Sequence, residues 1–143
     1  MKYAINKCYG GFSLSNEALR RLFEIDPKAC EVTPWREYYG VTGHTKCKYS
    51  VSEEEARRKL EEDMTRTGSR IFLPLVTVGT KGNESIVSFD RYGLESRCNP
   101  ALIQVIEELG EAANGGCAEL KIVDVPHEPE SLELDEYDGI ETV

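Results

Sequence analysis

One stretch of the sequence combines arginines with an aromatic ring and a helix-capping asparagine. Phe89 lies near the end of a predicted strand, and Arg91, Arg97 and Asn99 follow it before the start of a predicted helix. An arginine can hold a phosphate through two parallel hydrogen bonds, and an aromatic ring can stack on a base. The pattern therefore favours a small phosphate-containing ligand. Its plainer alternative is two solvated arginines, a core phenylalanine and an ordinary helix cap.

A second candidate anion site precedes the first predicted helix. Tyr9, Gly10, Gly11 and Phe12 follow a predicted strand, and Ser15 can cap the helix that comes next. Glycines let backbone N–H groups approach a phosphate, and the N-terminus of a helix favours negative charge. The alternative for this stretch is a plain strand-to-helix turn.

A third basic group, Arg57-Arg58-Lys59, lies on a predicted helix. We include Arg57 among the candidate ligand-binding residues. Glutamates three and four residues away on the same helix offer a simpler alternative, in which these cations only form ion pairs along the helix surface.

Motifs of common catalytic sites are absent from the sequence. It contains no G-x-S-x-G, H-E-x-x-H or G-x-x-x-x-G-K-[ST] motif, and His44 and His127 are its only histidines. Ile106-Glu-Glu-Leu-Gly110 resembles the end of a Nudix box, but Ile103-Gln104 stand where that box needs an Arg-Glu pair. A histidine base is therefore not indicated, and we expect a protein that is not an enzyme.

The cysteines do not indicate a metal or redox site. They are Cys8, Cys30, Cys47, Cys98 and Cys117, an odd number with no C-x-x-C spacing. His44 and Cys47 form an H-x-x-C pair, which supplies only two of the four ligands that a structural zinc needs. We therefore expect no metal and no cofactor, and reduced thiols that pack as small apolar groups.

The apolar pattern and the capping signals predict three helices. They follow the caps Ser15, Ser52 and Asn99 and extend over about residues 16–24, 53–66 and 100–113. Five or six short strands are predicted over about residues 2–8, within 28–50, and over 71–78, 85–90 and 118–125. The pair 71–78 and 85–90 is typical of a hairpin, in which Pro74 favours an edge position or a bulge. Residues 131–143 form either a small hairpin around Asp138-Gly139 or a tail ordered only by a partner.

These elements predict an α+β fold with a mostly antiparallel small sheet and about three helices. The length of 143 residues is that of one domain. We therefore treat residues 1–143 as a single α+β domain that ends in an acidic segment, residues 126–143. No apolar run approaches the ~18 residues needed to cross a bilayer, and the N-terminus has no signal-peptide pattern. We expect an intracellular protein with no membrane partner.

Charge is unevenly distributed along the chain, whose net charge is −9. Residues 1–97 hold 16 of the 17 lysines and arginines and 14 of the 26 acids, whereas residues 98–143 hold Lys121 against 12 acids. A protein that follows a phosphodiester backbone is basic, so extended nucleic acid is not an expected partner. The acidic end is either a solvated surface or a mimic of the charge of DNA.

Three segments resemble a family of small proteins encoded by phages and prophages. They are Met1-Lys-Tyr-Ala-Ile-Asn-Lys-Cys-Tyr-Gly-Gly-Phe-Ser-Leu-Ser15, residues 105–123, and Asp135-Glu-Tyr-Asp-Gly-Ile-Glu141. Together they cover about a third of the chain, at both ends and in matching order, while residues 28–70 show no match. The family that they resemble is that of the anti-Thoeris sponge proteins.

The resemblance implies a phage anti-defence protein in the cytoplasm of the bacterial host. Such sponges bind the cyclic ADP-ribose signal made by bacterial TIR enzymes without degrading it, and members of the class also hold cyclic oligonucleotides. They are symmetric homo-oligomers with ligand sites at subunit edges. Two alternatives stay open: an acidic inhibitor of the DNA-mimic type that targets a protein and, less favoured, an enzyme that processes a nucleotide.

Overall fold

The computed structural model describes residues 1–9, 11–41, 51–65, 76–91, 94–116, 118–126, 128, 132, 134–137 and 139–142. It confirms the predicted α+β class, with helices beside small antiparallel sheets. The strands are β1 (Lys2–Asn6), β2 (Glu31–Pro34), β3 (Val76–Val78), β4 (Ser85–Ser88), β5 (Leu120–Asp124), β6 (Asp135–Tyr137) and β7 (Ile140–Thr142). The helices are α1 (Asn16–Ile25), α2 (Trp35–Tyr38), α3 (Glu53–Thr65), α4 (Leu94–Arg97) and α5 (Pro100–Leu109).

The chain divides into two compact units. Unit 1 comprises Met1–Glu31, Arg70–Pro74 and Phe89–Val143, and unit 2 comprises Val32–Ser69 and Leu75–Ser88. The assignment of residues 1–143 to a single domain stays a prediction.

In unit 1, helices α1 and α5 begin at the caps that the sequence predicts. The Ser15 hydroxyl accepts a hydrogen bond from the Ala18 N–H (3.1 Å), and the Asn99 side-chain oxygen accepts one from the Ala101 N–H (2.8 Å). These bonds satisfy N–H groups that have no partner inside the helix. Pro100 follows the second cap at the first helical position, where its missing N–H costs nothing. The two helices pack against each other.

The sheet of unit 1 pairs β1 with β5. The antiparallel register runs from Lys2 opposite Asp124 to Asn6 opposite Leu120. Helix α5 packs against both strands, and its Leu102 is fully buried. Hydrogen-bonded and non-hydrogen-bonded pairs alternate in an antiparallel ladder. Every second residue of β1 therefore directs its backbone groups away from β5.

The C-terminal strands β6 and β7 form the hairpin predicted around Asp138-Gly139. Asp135 lies opposite Thr142, and Tyr137 lies opposite Ile140. Gly139 has a φ of +91°, a conformation that glycine adopts without strain. Strand β7 lies beside β1, so of the two alternatives for this segment the hairpin is the one observed.

Unit 2 combines a three-stranded sheet of order β2–β4–β3 with helices α2 and α3. Strands β3 and β4 form the predicted antiparallel hairpin, and Ser52 caps α3 by accepting a hydrogen bond from the Glu55 N–H (3.3 Å). Met64, which the spacing predicts on the apolar side of α3, is 52% exposed. The buried core residues are Trp35, Val41, Ala56, Leu60 and Ile86.

Some predictions fall outside the described residues. They concern Gly10, the part of the predicted strand over residues 71–75 that contains Pro74, the pair His44 and Cys47, and His127. Within the described ranges, no helix is both long enough and apolar enough to cross a bilayer.

Candidate functional site

The two stretches predicted to bind an anion meet in unit 1. The guanidinium carbon of Arg97 lies 3.7 Å from the centroid of the Phe12 ring. The Phe89 ring centroid is 6.1 Å from that of Phe12, and Arg91 donates a hydrogen bond to the Phe12 backbone oxygen (3.1 Å). We call Phe12, Phe89, Arg91 and Arg97 the Phe12 cluster. The fold thus joins two segments that the sequence analysis treated as separate candidate sites.

Arg97 is the most tightly held member of the cluster, because all five of its N–H donors have partners. The guanidinium donates to both carboxylate oxygens of Glu141 (2.6 and 2.7 Å), to the Ala4 backbone oxygen (3.1 Å) and twice to the Arg91 backbone oxygen (2.6 and 2.9 Å). The residue is only 2% exposed. Arg97 is predicted from the sequence to contact a phosphate. In the structure its guanidinium lies inside unit 1, where the five hydrogen bonds provide the pairing that a buried charge requires.

Asn6 and Glu141 complete the buried polar network around Arg97. Glu141 accepts a hydrogen bond from the Asn6 backbone N–H (2.8 Å). The Asn6 side-chain amide donates to the backbone oxygens of Cys8 and Gly139 (both 2.6 Å), and its oxygen accepts from the N–H of Glu119 (2.9 Å). The network therefore connects the end of β1 with the C-terminal hairpin and with the segment that leads into β5.

The loop that connects β1 to α1 presents exposed groups next to the Phe12 cluster. The Tyr9 side chain is 62% exposed. Gly11 has a φ of +93°, and no heavy atom lies within 4 Å of the position that a Cβ would occupy, so its backbone faces open space. Phe12 is only 2% exposed and anchors the loop. Within four residues the chain thus offers an accessible aromatic ring and an accessible backbone.

Asn99 has the role that its cap position predicts. Its side-chain oxygen accepts a hydrogen bond from the Ala101 N–H at the start of α5. This is the ordinary helix cap that the sequence offers as the simpler alternative. A contact between Asn99 and a ligand stays a prediction, as does the ligand-binding role of Arg97.

Arg57 lies in unit 2, where it forms an ion pair with Glu84. Its guanidinium donates to both carboxylate oxygens (3.0 and 3.2 Å) and lies 5.1 Å from the centroid of the Trp35 ring. Burial alone would raise the pKa of the Glu84 carboxyl, but backbone N–H groups of Glu84 and Gly82 and the Arg57 guanidinium together hold that pKa below its usual value. Arg57 thus forms an ion pair, as the simpler alternative predicts, but its partner lies outside α3 and not on the same helix.

Two of the described thiols, Cys30 and Cys98, are not activated as nucleophiles. Cys8, Cys30 and Cys98 are free. Burial, assisted by the nearby Asp26 carboxylate, raises the pKa of the Cys30 thiol to about 11, and burial also raises that of Cys98. Because the thiolate is the reactive form, both groups are protonated at neutral pH. Among the residues that the structure describes, no cluster of three or more His, Cys, Asp and Glu could hold a metal ion.

Asn6 and Glu141 are not among the site residues predicted from the sequence. Asn6 is a polar residue at the end of an apolar strand, which was a weak signal that its side chain has a specific partner. Glu141 is one of 12 acids in residues 98–143, and no pattern distinguishes it from the others. Its role depends on a fold that brings it to an arginine 44 residues away in sequence.

No protein-family model, curated protein or solved structure matches the chain. The resemblance to the anti-Thoeris sponge proteins therefore rests on the three sequence segments and stays a prediction. Any function must be argued from the arrangement of the residues themselves.

Proposed function

We propose that the protein binds a small nucleotide-derived signal of the cyclic ADP-ribose type, or a cyclic oligonucleotide, and sequesters it without altering it. The observation that carries the proposal is the Phe12 cluster, which joins both predicted anion-binding stretches next to the exposed Tyr9 and to Gly11, whose Cβ position faces open space. The resemblance to the anti-Thoeris sponges supports the same activity. In this proposal the protein is a phage anti-defence factor in the cytoplasm of the bacterial host.

Tyr9 and Gly11 are the proposed ligand contacts. An exposed ring can stack on a base, a contact worth ~1–3 kcal/mol in complexes with single-stranded nucleic acids. The open backbone at Gly11 lets a phosphate approach without a side chain in the way. Arg91, which donates to the Phe12 backbone oxygen, adds positive charge next to this loop.

Arg97 supports the site without touching the ligand in this proposal. Its donors are all used inside unit 1, and its guanidinium stacks on the Phe12 ring, which anchors the loop. Stacking of this kind is attractive because the face of an aromatic ring carries partial negative charge. Arg97 therefore fixes the position of the loop that carries Tyr9.

The charged groups around the loop are suited to binding rather than to proton transfer. A guanidinium has five N–H donors and no acceptor, so Arg91 and Arg97 can donate hydrogen bonds to a ligand. The Glu141 carboxylate already accepts hydrogen bonds from Arg97 and from the Asn6 N–H. An intact ligand is therefore the expected outcome of binding.

The proposal is tested by incubating the protein with a mixture of cyclic ADP-ribose isomers and cyclic oligonucleotides. The complex is then desalted and denatured, and the released compound is identified by mass spectrometry. We expect an unaltered cyclic nucleotide. Recovery of a cleaved product would show that the protein is an enzyme, and recovery of no nucleotide would contradict the proposal.

Tyr9→Ala tests the location of the site. We expect this variant to weaken binding of the recovered nucleotide by about five-fold to over a hundred-fold, because stacking is lost. Tyr38→Ala is the matched control, since Tyr38 is also exposed (49%) but lies in unit 2. Isothermal titration measures both affinities. Equal affinities in the two variants would place the site away from the β1–α1 loop.

A further inference from the structure

An open pocket of about 320 Å³ lies between the C-terminal end of α5 and strand β5 in unit 1. Ile106 and Leu120 are buried and, with Ile122, supply its apolar lining. The volume is at the lower end of the range of about 300–1,000 Å³ typical of small-ligand pockets. None of its lining residues belongs to the Phe12 cluster. Neither Tyr9 nor Gly11 lines it, so the pocket is formed by other residues than those proposed above as ligand contacts.

The rim of this pocket carries negative charge. Glu111 and Glu119 are both exposed there, and Lys121 lies 3.5 Å from the Glu119 carboxylate. Glu111 forms no ion pair within the described part of the chain. Helix α5 ends at the pocket with no basic residue in its last turn, so no side chain of that turn offsets the partial negative charge of its terminal carbonyls. Both features favour a cation.

We propose that this pocket binds an arginine side chain of a protein partner. Arginine has an apolar stem, which the isoleucine and leucine side chains can cover, and a cationic head that remains near the rim. A guanidinium can also bind a carboxylate through two parallel hydrogen bonds. A metal ion would use only the carboxylates and would gain nothing from the apolar lining. The strongly acidic composition of residues 98–143 extends the same charge complementarity to a basic partner segment.

Asn114 provides a second contact for a peptide that carries the arginine. Its side-chain oxygen accepts a hydrogen bond from the Leu120 N–H (2.9 Å), which fixes the orientation of the amide at the pocket wall. Its NH₂ group has no hydrogen-bond partner among the described residues. A peptide supplies both groups that the pocket can use: a guanidinium for Glu111 and a backbone carbonyl for the Asn114 NH₂.

The test uses the full chain labelled with ¹⁵N and the probe N-acetyl-Gly-Arg-Gly-amide. The comparison probe replaces arginine with citrulline, which has nearly the same shape but no charge. We expect the arginine probe to shift the amide signals of Glu111, Lys121 and Ile122, and the citrulline probe to leave them unchanged. Equal shifts from both probes, or no shifts, would overturn the proposal. Displacement of the arginine probe by millimolar Mg²⁺ would identify a metal site instead and would also overturn it.

Substitutions at the rim test whether binding is specific to the pocket. We expect Glu111→Gln to weaken binding of the arginine probe by about three- to ten-fold, and Lys121→Gln to strengthen it because Glu119 loses its competing cation. Glu17→Gln, which removes an exposed acid of α1, is the matched control and should leave binding unchanged. Equal effects of Glu111→Gln and Glu17→Gln would show unspecific attraction to an acidic protein. The inference does not depend on the proposed nucleotide binding, which Glu111→Gln should leave intact.

Discussion

At the scale of single residues, Arg97 and Glu141 make hydrogen bonds with the edge of β1 that faces away from β5. A neighbouring strand would make such bonds through its backbone. Arg97 donates to the Ala4 backbone oxygen (3.1 Å), and Glu141 accepts from the Asn6 backbone N–H (2.8 Å). These two backbone groups of β1 point away from β5. Leaving a buried backbone group without a hydrogen bond lowers the free energy of unfolding. Two side chains from α4 and β7 therefore satisfy β1 and bind the C-terminal hairpin to it.

Glu141→Ala should destabilise the protein strongly, because it leaves the Arg97 guanidinium buried without a counter-charge. Removing one partner of a buried ion pair costs ~3–5 kcal/mol. The matched control is Glu107→Ala, which removes an ion pair with Lys2 whose side chains are 55% and 50% exposed and which should cost less than ~1 kcal/mol. Urea unfolding followed by circular dichroism measures both. Equal losses in free energy of unfolding would show that the buried pair does not hold the fold.

At the scale of elements, the structure confirms what depends on neighbouring residues. The caps Ser15, Ser52 and Asn99 could be predicted because a cap and the N–H that it accepts from are two or three residues apart. The β3–β4 hairpin could be predicted for the same reason. The partners of Arg57 and Arg97 could not, because an arginine can pair with any carboxylate that folding brings near it. Composition and residue spacing do not indicate which carboxylate that will be.

The ion pair between Arg57 on α3 and Glu84 before β4 should make the stability of unit 2 depend on pH. The pKa of Glu84 in the folded chain lies below its usual value of 4.5. A carboxylate with a lowered pKa stabilises the fold fully above its unfolded pKa, and this contribution is lost as the pH falls through the folded value. We therefore expect the free energy of unfolding to decrease below about pH 4.5 partly because of Glu84.

Glu84→Gln isolates this contribution, because glutamine keeps the shape and cannot ionise. We expect the variant to be less stable than the parent at pH 7 and the difference to shrink as the pH falls towards 3. Glu54→Gln, on an exposed position of α3, is the control. Urea unfolding at several pH values gives the comparison. A difference between parent and Glu84→Gln that stays constant with pH would contradict the lowered pKa.

At the scale of the whole molecule, the charge distribution separates two kinds of partner. The first 97 residues hold nearly all the cations, and the Phe12 cluster takes its two arginines from that part. The pocket beside β5 belongs to the acidic remainder of the chain. A small anion and a basic protein segment can therefore be attracted to different residues of one protein, whereas a long polyanion would be repelled by the net charge of −9.

The proposed nucleotide site should be completed by a second copy of the chain. Tyr9 is exposed and the Cβ position of Gly11 faces open space, so these two residues can cover only one side of a ligand, whereas tight sites bury about 70–90% of the ligand surface. A symmetric homo-oligomer, which the resemblance to the sponge proteins implies, would supply the other side. We expect light scattering to show an oligomer at micromolar concentration, and Tyr9→Ala to keep the same mass while losing affinity. A monomer with full affinity for the recovered nucleotide would contradict this arrangement, because one loop would then be sufficient for tight binding.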